Sequence, residues 1–266
     1  MQKHISSLQN PTVKDLLQLQ EKSRARKKQN LFVVEGLREI GLALKGGYEL
    51  RQLFFCSELI SAEALDGLKT SKAEFIELSQ PVYEKIAYRG STEGIIATAE
   101  AKKLSLENVI LKRKNPLILV AEAPEKPGNI GALLRTADAA AVDAVFIANP
   151  KTDMFNPNII RSSVGCIFTN QVATGRTSEI ISFLKGQKID IFGAALQASV
   201  PYNSIDFTGP SAIVVGTEAT GLSEEWLENT TQNIVIPMQG EIDSMNVSVA
   251  AGILLFEAAR QREFRI

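Results

Sequence analysis

The chain has 266 residues, 45% of them apolar, with 29 Lys and Arg against 30 Asp and Glu for a formal charge of -1. That is enough apolar matter for one large or two ordinary cores, while no run approaches the ~20 consecutive apolar residues of a membrane span and the start Met1-Gln2-Lys3-His4-Ile5-Ser6 lacks the apolar stretch of a signal peptide, so a cytoplasmic protein is expected. A single histidine, His4, in an N-terminus expected to be mobile, and two distant cysteines, Cys56 and Cys166, leave no ligands for a zinc or disulfide framework; no metal is expected, and acid-base chemistry falls to Arg, Glu, Ser or Asn.

The near-neutral total conceals an asymmetry. Residues 1–114 carry 19 Lys and Arg against 14 Asp and Glu, whereas residues 115–266 carry 10 against 16. A basic front half suits a polyanion; the acidic back half does not argue for broad nucleic-acid binding. A helical pattern through Val13, Leu16, Leu17 and Leu19 leads into the densest basic cluster, Lys22, Arg24, Arg26, Lys27 and Lys28. It reads either as a solvated helix end or as a set of phosphate contacts.

Strand and helix patterns then alternate. Leu31 to Val34 is a β-type run, Gly36 to Leu44 a helix, Leu50 to Phe55 a strand, Ser61 to Leu68 a helix, and Phe75 to Leu78 and Gly94 to Ala99 are further strands. This predicts a small α/β domain over residues 1–105. The charged stretch 101–115 has no Gly-Pro turn and places a linker at 106–115. From Pro116 the strands lengthen into continuous apolar runs, Leu117 to Ala121, Ala144 to Ala148, Ile189 to Ala195, Ala212 to Val215 and Ile234 to Ile236, as expected of a parallel sheet covered on both faces. Helical patterns separate them at Ile130 to Ala141, Pro157 to Ser163, Ser178 to Leu184, Ser223 to Leu227 and Val247 to Arg262. The predicted second domain is 116–266.

Three segments of that half carry the functional signal: Pro127 to Thr136 (PGNIGALLRT), Val215 to Leu222 (VGTEATGL), and Ile236-Pro237-Met238 leading into Asp243 to Ala250 (DSMNVSVA). In each, an apolar run ends in Gly or Pro beside a polar side chain, which is how an open α/β sheet builds a site outside the carboxyl ends of its strands. A dinucleotide-binding fold requires G-x-G-x-x-G after its first strand, and the turn Glu122 to Gly131 has the wrong glycine spacing. Asn129 and Arg135 lie on the first two turns of the helix after the first strand, and an arginine there can fork onto a phosphate or ribose oxygen. Glu218 can hold Asn129, Arg135 or a helix N-terminus, or merely cap the helix ahead of Leu222 to Leu227. Ser244 and Asn246 precede a long helix, where capping alone explains one of them but hardly both.

The same three segments, in this order and near the C-terminus, resemble the SpoU (TrmH-type) family of RNA ribose methyltransferases, and Phe32 to Glu39 (FVVEGLRE) resembles the start of the substrate-binding domain that often precedes the SpoU catalytic domain. The resemblance implies a ribosomal-protein-like front domain that grips structured RNA and an α/β catalytic domain with a deep trefoil knot. It further implies S-adenosylmethionine-dependent methylation of a ribose 2'-hydroxyl, with ribosomal RNA favoured over transfer RNA, and a homodimer through the last helix. Its catalytic positions fall on Asn129, Arg135, Glu218, Ser244 and Asn246, and its cofactor positions on Gly216, Ile236 and Met245, with Leu196 a fourth. RNA contacts are expected at the basic cluster and at Arg161. Three departures, Met245 for Leu, Thr217 for Asn or Ser, and Ala219 for Gly, bear on the cofactor loop. The competing reading is an RNA-binding protein that keeps the fold without turnover. In-line methyl transfer needs its oxygen about 3 to 3.5 Å from the methyl carbon, so positioning carries much of the rate; a guanidinium, which holds its proton far above neutrality, makes a poor base.

Overall fold

The computed structural model describes residues 3–68, 72–88, 93–217, 219–241 and 244–264. In chain order the first elements are β1 (Lys3–Ile5), α1 (Pro11–Glu21), α2 (Ser23–Gln29), β2 (Leu31–Glu35), α3 (Leu37–Lys45) and β3 (Leu50–Phe55). They are followed by α4 (Ala62–Asp66), β4 (Glu74–Leu78), α5 (Gln80–Ile86) and β5 (Ile95–Glu100). The remainder opens with β6 (Leu117–Glu122), α6 (Pro127–Ala139), β7 (Ala144–Ala148), α7 (Pro157–Ser162), β8 (Val172–Gly175) and α8 (Thr177–Gly186). It closes with β9 (Asp190–Ala194), β10 (Ser199–Pro201), β11 (Ser211–Val215), α9 (Glu224–Leu227), β12 (Gln232–Val235) and α10 (Val247–Gln261).

These elements form two compact units: Met1–Lys103 with Asp153–Thr169, and Leu104–Thr152 with Asn170–Ile266. The first is built on a five-stranded sheet ordered β1-β4-β3-β5-β2, parallel through β1, β4 and β3 and antiparallel where β5 meets β3 and β2. Helix α1 starts where Asn10 caps it, its Oδ1 accepting from Thr12 N at 2.9 Å with Pro11 at the first helical position. Its apolar stripe Val13, Leu16 and Leu19 packs with Val33, Phe54, Ile76 and Tyr83 into one core. His4, expected in a mobile segment, lies in a strand instead and pairs with Glu77 across the β1–β4 ladder.

Because side chains alternate along a strand, Phe32 points away from its neighbour Val33 and meets the other face of the sheet. There it stacks on Phe155 (centroids 4.4 Å) and Phe168 (5.8 Å), while Tyr48 meets both of those rings edge-on. Burial of Tyr48 pushes its hydroxyl up to about 12. Segment Asp153–Thr169, expected with the second domain, thus supplies half of the first unit's aromatic core. Gly46 is required in that packing, since a Cβ there would lie 2.2 Å from the Phe168 carbonyl oxygen.

The second unit is a seven-stranded sheet ordered β10-β12-β9-β11-β6-β7-β8, parallel at every pairing. Strands β6, β7 and β11 are buried along their whole length, which is why they read as unbroken apolar runs. The short β8 and β10, absent from the pattern reading, complete the two edges. The stretch expected as a linker carries one 3₁₀ turn, Leu106–Asn108, and its Leu106, Val109 and Leu111 pack on this unit's core, so it is docked rather than free. Among the described residues no helix is long and apolar enough to cross a membrane.

The basic cluster divides in two. Lys22, Arg24, Lys27 and Lys28 are exposed, the last two in the final turn of α2 where cations favour the helix dipole. Arg26 is buried: its Nε donates to Asp153 Oδ2 at 2.5 Å and its Nη1 to the Leu19 and Gln20 carbonyls at 2.7 and 3.1 Å. The expectation that it meets RNA is therefore corrected; its charge is spent on holding Asp153 against α1 and α2. Removing one partner of a buried pair leaves the other uncompensated. Asp153→Ala should cost about 3 kcal/mol in denaturant unfolding, whereas Lys27→Ala should stay within about 0.5 kcal/mol of the parent.

Candidate active site at the carboxyl ends of the parallel strands

Each strand of the parallel sheet delivers its following loop to one end, and three of those loops, the last running on into α10, surround a cavity of about 410 Å³. Leu196 comes from the loop after β9, Gly216 and Thr217 from that after β11, Ile236 from that after β12, and Ser244 and Met245 from the approach to α10. All four positions expected to hold a cofactor, Leu196, Gly216, Ile236 and Met245, therefore line one cavity with Ser244.

The loop after β11 is shaped by backbone meeting backbone. A Cβ on Gly216 would lie 2.2 Å from the carbonyl carbon and 2.3 Å from the carbonyl oxygen of Gly221, closer than any side chain tolerates. Gly221 itself has φ +68°, the left-handed region that glycine adopts without strain. Between them Thr217 and Gly221 exchange backbone hydrogen bonds of 3.0 and 3.1 Å, and Thr217 Oγ1 accepts from Thr220 N at 3.0 Å. Thr217 thus performs locally the loop closure a short polar residue is suited to. Glu218 lies outside the described residues.

Where the loop leaves, Glu122 fixes it. This carboxylate ends β6 and is buried; its Oε2 accepts from Ser223 N at 2.8 Å and its Oε1 from Ser223 Oγ at 2.7 Å, with Thr177 Oγ1 at 3.4 Å. Ser223 is in turn the N-cap of α9. The three motifs did not single out Glu122, although an acid closing a run of five apolar residues at a strand end was a usable signal.

Asn246 caps α10: its Oδ1 accepts from Ser248 N at 2.9 Å and from Ser248 Oγ at 2.6 Å. Its Nδ2 donates to Asn129 Oδ1 at 3.2 Å, which joins the first turn of α6 to the start of α10. Two of the expected catalytic side chains are therefore in direct contact, and Ser244 is left to line the cavity. Arg135 stands two turns along α6, exposed, and its guanidinium makes no hydrogen bond or ion pair among the described residues. It is not among the cavity's lining residues. Arg161 belongs to α7 of the first unit, its guanidinium 5.1 Å from the Tyr88 ring centroid. Among the described residues no cluster of three or more His, Cys, Asp or Glu is arranged for a metal ion.

The chemistry of this cavity suits a nucleoside-bearing ligand: small apolar walls, exposed backbone groups of a glycine-tight loop, and hydroxyl and amide side chains at one rim. Comparison with known proteins agrees. The model of the SpoU rRNA Methylase family matches residues 116–256, and that of an MRM3-like substrate binding domain matches residues 10–97. The chain is 31% identical over 255 residues to the 23S rRNA (guanosine(2553)-2'-O)-methyltransferase RlmP of Bacillus subtilis, covering 96% of this chain and 98% of that one. A crystal structure of an RNA 2'-O ribose methyltransferase superposes with a TM-score of 0.84 at 38% identity, covering 98% of this chain and 99% of that one. The SpoU methyltransferase AviRb of Streptomyces viridochromogenes, in complex with AdoMet, superposes with a TM-score of 0.88 at 26% identity, covering 96% and 99%.

Any side chain at position 216 must displace the Gly221 backbone. Gly216→Ala should lower stability by about 1 to 3 kcal/mol, the scale of overpacking, and should abolish ligand uptake by the cavity; thermal unfolding with and without ligand measures both.

Proposed function

The chain belongs to the SpoU rRNA methylase family, and from that premise we propose that it transfers a methyl group from S-adenosylmethionine to a ribose 2'-hydroxyl of ribosomal RNA in the cytoplasm. The observation that supports this most directly is the joining of Asn129 to Asn246 beside a cavity whose wall holds Leu196, Gly216, Ile236 and Met245. The trefoil threading characteristic of the family belongs to the same proposal for the segment from β11 to α10.

The fit of the cofactor rests on what the loop offers. Gly216 and Gly221 bring backbone to backbone, and both line the cavity without a side chain of their own. Ile236, Met245 and Leu196 add apolar contacts for a flat ring. When bound, S-adenosylmethionine supplies an electrophilic methyl on a sulfonium centre. The departures at Thr217, Ala219 and Met245 are small: Thr217 keeps the loop hydrogen bonds described above, and Met245 remains a lining residue.

The protein's part is to bring a ribose oxygen in line and hold it. We assign that to Arg135, whose exposed guanidinium can fork onto the phosphate or ribose of the target nucleotide. Asn129 and Asn246 fix the helix starts on which the substrate rests, Ser244 offers a hydroxyl at the rim, and Glu218 belongs to the same constellation by family position. As the ribose oxygen took the methyl group, the sulfonium carbon–sulfur bond would break to leave a neutral thioether and the hydroxyl proton would pass to solvent water, while a cationic neighbour would stabilise the oxyanion character that develops. Arg135→Ala should reduce methyl transfer to RNA at least about a hundredfold with a much smaller change in RNA affinity, measured with labelled cofactor. Wild-type protein that binds RNA but incorporates no methyl would instead be a binding module on this fold.

The front unit supplies RNA affinity in this reading, through Lys22, Arg24, Lys27, Lys28 and Arg161. Replacing Lys22, Arg24, Lys27 and Lys28 with Gln should weaken RNA binding and reduce the magnitude of its log–log salt slope by up to about four, leaving cofactor affinity intact.

A homodimer through α10 completes the proposal. Val249 and Phe256 are 52% and 44% exposed, and they lie with Ile253 on one stripe of a helix whose opposite side, Ala251, Leu254, Leu255 and Ala258, is buried. An apolar stripe of this kind is self-complementary about a two-fold axis. Sedimentation at micromolar concentration should give a dimer, and Phe256→Asp should give a monomer.

A further inference from the structure

The first unit holds a cavity of its own, about 750 Å³ and formed entirely by residues of that unit. Its most distinctive wall is Tyr88, which is fixed from several directions. Both carboxylate oxygens of Glu35 accept from Tyr88 N, at 3.1 and 3.0 Å. The phenol donates to Asn158 Oδ1 at 2.7 Å. Arg161 lies against the ring, 5.1 Å from its centroid, and its Nη1 donates to the Tyr88 carbonyl at 3.4 Å. The result is a flat aromatic and guanidinium platform, only partly covered, whose position is set before anything binds.

The rest of the wall decides what it would take. Glu21, Glu35, Glu39 and Glu93 line it against the three cations Arg38, Lys85 and Arg161. A phosphate would meet more like than unlike charge there. A nucleobase would not: its ring stacks on an aromatic or guanidinium plane and its N–H groups donate to carboxylates and amide oxygens. The position along the chain agrees. Glu21 lines the cavity and is followed directly by Lys22 and the exposed cations of α2, so a base-accepting cavity adjoins a surface suited to the sugar-phosphate backbone.

We propose that this cavity receives an unpaired nucleobase of the substrate RNA, stacked on Tyr88 and Arg161 with its N–H edge toward the carboxylates. The proposal rests on the RNA methyltransferase reading and adds to it a base-reading subsite in the front unit. Such a subsite selects RNA by a nucleotide that is free to leave its stack, in a loop or bulge, rather than by duplex shape alone.

The test uses the full-length protein and an unmodified 23S rRNA transcript. Methyl incorporation by the wild type comes first: its failure would remove the RNA methyltransferase reading and this proposal with it. With a competent wild type, Tyr88→Leu should raise Kd for the transcript about tenfold. The salt dependence of binding should keep its slope, because no phosphate contact is lost, in contrast to the Gln replacements in the basic cluster. Melting temperature and S-adenosylmethionine affinity should hold. Unchanged Kd, or a loss of affinity accompanied by a flatter salt slope, would overturn the proposal and leave the methyltransferase reading standing. Should Tyr88→Leu melt early, ultraviolet cross-linking of the wild type decides the matter: a nucleotide adduct on the peptide bearing Tyr88 is expected, and adducts confined to other peptides would overturn it.

Discussion

The close approach of Gly216 to Gly221 is the constraint on which the candidate active site depends. With a Cβ only 2.2 Å from the Gly221 carbonyl carbon, the loop after β11 exists in this form only if position 216 has no side chain. Everything downstream follows from that closure. Thr217 can exchange backbone hydrogen bonds with Gly221, Leu222 can turn inward, and Ser223 arrives where Glu122 accepts both its N–H and its hydroxyl. A buried carboxylate is tolerated at the end of β6 because those donors satisfy it. The loop is therefore held at its entrance by backbone and at its exit by charge, which leaves the face between them free to form a cavity wall.

The parts of this arrangement that could be read from the sequence are those with a local cause. Unbroken apolar runs such as Leu117 to Ala121 and Ala144 to Ala148 can only be strands buried on both faces, and the structure has them at β6 and β7. Gly216 is different: a glycine after such a run is by itself a weak signal, and the position is legible only through the family resemblance. The parts that could not be read have non-local causes. Edge strands β1, β8 and β10 are three or four residues long and owe their form to a neighbour, not to their own pattern. Arg26 shares its composition with four solvated neighbours, and only Asp153, 127 positions away, separates it from them. Segment Asp153–Thr169 reads as ordinary loop and helix of the second half, yet its Phe155 and Phe168 complete the aromatic face of Phe32 and Tyr48.

That excursion has a consequence for how the chain is partitioned. The first unit is not a continuous stretch of sequence: it takes in residues up to Lys103 and again from Asp153 to Thr169. An aromatic core and a buried ion pair both depend on the returning segment, so the unit proposed to bind RNA is stabilised by residues encoded within the half proposed to carry the chemistry. The asymmetry of charge between the two halves survives this exchange, since the exposed cations of α2 stay with the first unit.

Asn246 shows why structural and catalytic readings of one residue need not compete. Its Oδ1 caps α10, which satisfies a backbone N–H that the helix start would otherwise leave exposed, and its Nδ2 at the same time donates to Asn129 on the first turn of α6. An amide is the side chain that can do both, because it presents an acceptor and a donor on one rigid plane. Aspartate would cap equally well but would turn an acceptor toward Asn129 Oδ1, and serine would be too short to span the two helices. The cap fixes the orientation of the amide, and the orientation fixes Asn129. Helix capping is thus the means by which the two motifs furthest apart in sequence are set in register, 117 positions apart and 3.2 Å from each other, next in the chain to Met245 and Val247 of the cavity wall.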